Sequence, residues 1–101
     1  MPVITRENVE VGDTETEIIE PQETDKEKDR IFSVANHGAE IEITAYGSND
    51  GGETWEERGS KVIPENHSDT HVVALDVFIV KLIGKTTNPG AISNVDASLV
   101  Y

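Results

Sequence analysis

Between Ala39 and Gly47 apolar and polar residues alternate strictly, with Ile41, Ile43 and Ala45 on one face and Glu40, Glu42, Thr44 and Tyr46 on the other. A period of two is the signature of a half-buried antiparallel strand. The end of the chain repeats it: Val95, Ala97, Leu99 and Tyr101 alternate with Asn94, Asp96, Ser98 and Val100, so the last residue belongs to a sheet. Two runs are denser. Ile31, Phe32 and Val34 within 30–35, and Phe78, Ile79, Val80, Leu82 and Ile83 within 78–83, read as central strands covered on both faces. A shorter apolar run spans 72–75. Turn-forming clusters separate these segments: Asn36-His37-Gly38, Ser48 to Gly52, Arg58-Gly59-Ser60, Pro64 to Asp69 and Asn88-Pro89-Gly90. The pattern predicts an all-β fold, an antiparallel β-sandwich of jelly-roll or immunoglobulin-like form with about seven or eight strands and little or no helix.

Composition supports that reading. Ile, Val and Thr supply 30 of the 101 residues while Leu supplies three and Met one, a balance that fits pleated strands better than helices. Residues 1–30 carry ten acids but also Val3, Val9, Val11, Ile18 and Ile19. They read as two edge strands, about 3–11 and 14–20, followed by a solvated loop through Lys28. On this division residues 1–30 form an acidic arm that makes the assembly contact, with Arg6, Lys26, Lys28 and Arg30 available to a neighbouring copy, and residues 31–101 form the sandwich body.

Twenty acids against eight bases leave a net charge of -12, which would repel a phosphate backbone and anionic lipid alike. Apolar runs are far shorter than the roughly 20 residues of a membrane span, and the opening residues carry no secretory signal. The expectation is a soluble chain without nucleic-acid or membrane partners. With no cysteine there is no disulfide, thiol nucleophile or thiolate metal site.

Little in the sequence points to catalysis. No nucleophile, base and orienting group stand in a recognisable arrangement, and neither a Walker loop, a G-x-G-x-x-G turn nor a zinc signature occurs. With twenty carboxylates, adjacent acids such as Glu56 and Glu57 are uninformative. The expectation is a non-enzymatic protein without cofactors. His67, Asp69 and His71 stand at alternate positions, which on a strand would turn two imidazoles and a carboxylate to one face as candidate metal ligands. Following Pro64-Glu65-Asn66, the same stretch reads better as a polar loop running into the apolar run 72–75. The Asn66-His67-Ser68 sequon is discarded, because an unsecreted chain never meets the glycosylation machinery.

Ser48, Asp50, Gly52, Thr54 and Trp55 fall in the order S-x-D-x-G-x-T-W, which resembles the Asp-box of sialidases and other β-propellers. The resemblance implies a hairpin turn in which Asp50 accepts backbone hydrogen bonds, remote from any active site. A propeller itself would need a longer chain. Over most of its length the chain also resembles small β-sandwich virion proteins of tailed bacteriophages. The likeness rests on the Arg-led strand Arg30 to Gly38 closing in Asn-x-Gly, on Ile41 to Trp55 leading into the Asp-box-like hairpin, and on the paired apolar strands that end the chain. It implies a structural role in head, neck or tail, such as capsid decoration, with partners that are copies of itself and a capsid, neck or tail protein. Such a homo-oligomeric protein is assembled in the host cytoplasm and resides in the virion. The alternative is a stand-alone carbohydrate-binding module using the same hairpin. Its small stock of aromatics, Trp55, Tyr46, Tyr101, Phe32 and Phe78, leaves few platforms for sugars.

Overall fold

In the computed structural model, which describes residues 3–24, 30–73 and 78–101 and only the backbone at 72 and 73, the described residues contain eight strands and no helix. These are β1 (Val3–Val11), β2 (Thr16–Glu23), β3 (Arg30–Asn36), β4 (Ile41–Ser48), β5 (Glu56–Ile63), β6 (Ser68–Val73), β7 (Ile79–Thr86) and β8 (Ser93–Val100). They form two antiparallel four-stranded sheets, A in the order β1-β8-β3-β6 and B in the order β2-β7-β4-β5. The expected sandwich is present. Of the predicted loop 21–28, residues 21–23 belong instead to β2, while 25–28 lie outside the described residues, as do 74 and 75 of the apolar run 72–75.

Alternation builds the core. Ile41, Ile43 and Ala45 of β4 face Val80 and Leu82 of β7 across sheet B's inner side, while Phe32 and Val34 of β3 and Val95, Ala97 and Leu99 of β8 line the inner side of sheet A; all are buried. At roughly 1.5 to 3 kcal/mol for each large apolar side chain removed from water, this shared layer holds the sheets face to face. The dense runs are not covered on both faces, however. Ile31, Ser33 and Ala35 of β3 point outward and are half-buried, as are Ile79, Lys81 and Ile83 of β7, and Phe78 lies before its strand at 48% exposure. Apolar density there reflects partial burial on a central strand rather than a second covering layer.

The N-terminal strands belong to this core rather than to a separate arm. Strand β1 pairs with β8 and β2 with β7, and Val11, Ile18 and Ile19 are buried. Bulges make this possible. Between Arg6 and Val9 the β1 register shifts, Asn8 adopts a φ of 54°, and its N–H donates to Asp96 Oδ1 at 2.9 Å. An extra residue turns Val9 and Val11 inward although Val3, of the same parity, faces outward at 57% exposure. Another shift lets adjacent Ile18 and Ile19 both be buried. Pro21, which lacks an N–H, sits at a third irregularity on this edge strand. Arg30, expected to face a neighbouring copy, is instead completely buried at the start of β3.

Candidate interaction surface

Ser48 to Trp55 connects β4 to β5 through a turn organised by one carboxylate. Asp50 Oδ1 accepts from Ser48 Oγ at 2.8 Å and from the N–H groups of Glu53 at 3.1 Å and Thr54 at 2.9 Å, while Oδ2 accepts from Thr54 Oγ1. Ser48 Oγ in turn accepts from Gly52 N at 3.0 Å. These bonds favour the charged form and hold the Asp50 carboxyl down at about 2, the Thr54 hydroxyl contributing most. Gly52, at a φ of 93°, supplies the left-handed residue the turn requires. Both Asp50 oxygens are thereby engaged within the turn. The half-buried ring of Trp55 carries the ammonium of Lys81 at 4.3 Å from its centroid, with Tyr46 5.6 Å from the same nitrogen.

His67, Asp69 and His71 are not gathered. His67 precedes β6 and its Nδ1 lies 2.8 Å from Glu65 O. Asp69 is hydrogen-bonded by Lys61 Nζ at 3.3 Å, and its carboxyl is lowered first by the Thr70 N–H and then by Lys61. His71 Nε2 lies 3.4 Å from Arg58 O. Among the described residues no group of three or more His, Asp or Glu side chains is placed to hold a metal ion. Asn36, read as a turn residue with His37 and Gly38, is a buried fastener. Its amide donates to the carbonyls of Ala39, Ile63 and Pro64 at 2.9, 3.3 and 3.1 Å, and its oxygen accepts from Ser93 Oγ.

The open sides of the sandwich are closed by charge. Arg6 on β1 makes a two-pronged contact with Glu20 on β2, which lowers the Glu20 carboxyl and raises the Arg6 guanidinium. On the opposite side Lys61 of β5 reaches Asp69 and the Thr70 carbonyl of β6, the latter at 2.6 Å.

Sheet A's outer face is different in kind. Register places Thr5 of β1 opposite Ser98 of β8, Ser98 opposite Ser33 of β3, and Ser33 opposite Thr70 of β6, a hydroxyl row crossing the whole sheet. Directly paired residues share a face, and none of these four hydroxyls is hydrogen-bonded to another described residue. Beside the row run Val3, Val100 and Ile31, paired in the same way. On the other side stand Asp96 and Ala35, Asp96 held by the Asn8 N–H and by His37 Nε2 at 2.9 Å and lowered by both, Asn8 first. The floor is made of small side chains, so the face is a shallow trough of about 590 Å³ with Arg6 and Glu7 at the β1 rim and Asp69 at the β6 rim. Sequence reasoning missed it, because each hydroxyl alone looks like an ordinary solvated position. Only the register aligns them.

No family model matches the sequence, and no curated protein matches it. Solved structures share the fold. The crystal structure of PirA superposes with a TM-score of 0.67 at 12% identity, over 95% of this chain and 90% of that one. A second neighbour comes from Bacillus endospore appendages, described as a novel family of disulfide-linked pili. It superposes with a TM-score of 0.54 at 12% identity, covering 96% of this chain and 85% of the other. At this identity the likeness is one of fold.

Proposed function

We propose that this chain is a non-enzymatic structural subunit that works in many copies on a larger assembly, and that the assembly is the head, neck or tail of a tailed bacteriophage particle. The observation that carries the reading is a contrast in how polar groups are used. Asp50, Asp69, Asp96 and Asn36 each serve the protein's own turns and rims. The hydroxyl row across sheet A's outer face, by comparison, presents four small, uncharged groups with unspent hydrogen-bonding capacity on a chain of net charge -12. Surface chemistry of this kind suits docking rather than turnover. The sandwich of the endospore pilus neighbour belongs to a family that forms fibres, which supports the multi-copy part of the reading. The bacteriophage part rests on the order of elements from Arg30 through Trp55. Without cysteine, copies of this chain cannot be joined by disulfides as the pilus family is. A glycan-binding role has less support, since Lys81 lies over the Trp55 ring on which a sugar would stack.

Immunogold electron microscopy of particles purified from cells that make the protein tests the reading. Regularly spaced label on heads or tails is expected. Label on no particle, with the protein recovered only as a free monomer, would overturn it.

A further inference from the structure

We infer that Lys61 and Asp69 form a clip that closes the free edge of sheet A at β6, so that no strand from another copy extends the sheet there. The inference concerns the chain itself and does not rest on the multi-copy reading above. Strand β6 has one neighbour in its sheet, β3. In an antiparallel ladder alternate residues turn both backbone groups toward the partner or both away from it. The Asn36 N–H donates to the His67 carbonyl at 2.9 Å, so His67, Asp69 and His71 turn toward β3 and Thr70 turns away. Thr70, in the middle of β6, is where a joining strand would have to bond.

Both backbone groups of Thr70 are already taken. Its N–H donates to Asp69 Oδ1 at 2.7 Å, and its carbonyl accepts from Lys61 Nζ at 2.6 Å, the same ammonium lying 3.3 Å from Asp69 Oδ1. Hydrogen bonds with a charged partner are roughly twice as strong as neutral ones. An incoming strand offers only neutral peptide groups in exchange, so it loses at the centre of the ladder it would build.

The other edge strands carry lesser forms of the same device. On β1 Arg6 Nη1 donates to the Thr5 carbonyl at 2.8 Å, on β2 Gln22 Nε2 donates to the Glu20 carbonyl at 3.3 Å, and on β5 Asn36 Nδ2 donates to the Ile63 carbonyl at 3.3 Å. Unguarded edges of strands rich in Ile, Val and Thr are templates for pairing. Copies of this chain therefore meet through faces or end loops and not by merging their sheets.

Disulfide trapping at Thr70 tests the clip, because the chain has no native cysteine. Two β6 edges joined about a two-fold axis at Thr70 would set its two Cα atoms about 5.5 Å apart, a separation that a disulfide spans. The Thr70 side chain is exposed and the clip holds only its backbone, so Thr70→Cys leaves the clip in place. This variant is oxidised alone and in combination with Lys61→Thr and Asp69→Thr, which remove one charge of each sign. About 0.5 M salt screens repulsion between acidic chains within about 5 Å. Thr70→Cys with Glu42→Thr and Lys85→Thr, a directly paired acid and base on sheet B, controls for the lost charges. Several-fold more cross-linked dimer is expected without the clip than with it, and no gain in the control. Equal trapping with and without the clip, or an equal gain in the control, would overturn the inference. Circular dichroism checks folding. Should the triple variant not fold, Thr70→Cys with Lys61→Thr alone decides, since it frees the carbonyl: a gain supports the clip and no gain overturns it. Equal trapping together with immunogold label on particles would remove the clip and leave the multi-copy reading standing.

Discussion

Ser98 of β8 and Thr44 of β4 occupy equivalent places, each pointing outward from a central strand of its sheet, yet their neighbours differ in kind. Across sheet A, Ser98 is flanked by Thr5 and Ser33, with Val100 and Asp96 two residues away on either side. Across sheet B, Thr44 is flanked by Ile83 and Ser60, and the next rows bring Lys85, Glu42 and Val62 together, and Lys81, Tyr46 and Glu57 together. That second face is an ordinary solvated surface of mixed charge. Burial and the nearby carboxylates of Glu15, Glu57 and Glu42 even push the Tyr46 hydroxyl upward. One fold therefore presents an outer side of mixed charge and another on which a band of uncharged hydroxyls runs between the carboxylates of Asp96 and Glu7 and the apolar row of Val3, Val100 and Ile31. On the reading proposed above, that hydroxyl band is the surface kept for contact.

The largest effects are expected on the shared inner layer, where the two sheets do not differ. Phe32→Ala on sheet A should cost about 3 to 5 kcal/mol and Ile43→Ala on sheet B about 2 to 5 kcal/mol in denaturant unfolding, and a near-silent result at either would show its strand register to be misread. Next comes Gly84→Ala. An added Cβ would stand 2.5 Å from Ile18 Cδ1, so the end of that buried side chain would have to repack, at about 1 to 3 kcal/mol.

Asp50→Ala should lower the melting temperature at neutral pH by freeing the turn's N–H groups. The pH dependence has a definite sign. Because the folded carboxyl is depressed to about 2 from its ordinary value of 3.8, its contribution is fully present above about 4 and is lost as pH falls toward 2. The wild type should thus lose its thermal advantage over Asp50→Ala across that window, and a constant gap down to pH 2 would remove the carboxylate from the account. The smallest effects belong to the outer faces. Glu42→Ala and Ser98→Ala should both stay within about 0.5 kcal/mol of wild type, which separates stability from association.

Much of the architecture was legible from alternation alone. Ile41, Ile43 and Ala45, like Val95, Ala97 and Leu99, are buried as their period of two requires. What escaped follows from departures from that period. A bulge at Asn8 reverses the facing of β1 midway, and another lets Ile18 and Ile19 both turn inward, and neither is encoded by a hydrophobic pattern. Charge misled at Arg30, where a basic residue read as exposed is enclosed by the fold. The hydroxyl row was invisible for a related reason: Thr5, Ser33, Thr70 and Ser98 are distant in sequence, and only the strand order β1-β8-β3-β6 sets them side by side.

Sedimentation velocity over a concentration series, comparing wild type with Ser98→Lys and Thr44→Lys, tests most directly whether the hydroxyl row on the outer face of sheet A is the contact surface. The account predicts that wild type and Thr44→Lys show the same concentration-dependent rise in sedimentation coefficient, while Ser98→Lys stays monomeric with an unchanged fold. Association of Ser98→Lys equal to wild type, or its loss in Thr44→Lys instead, would contradict it.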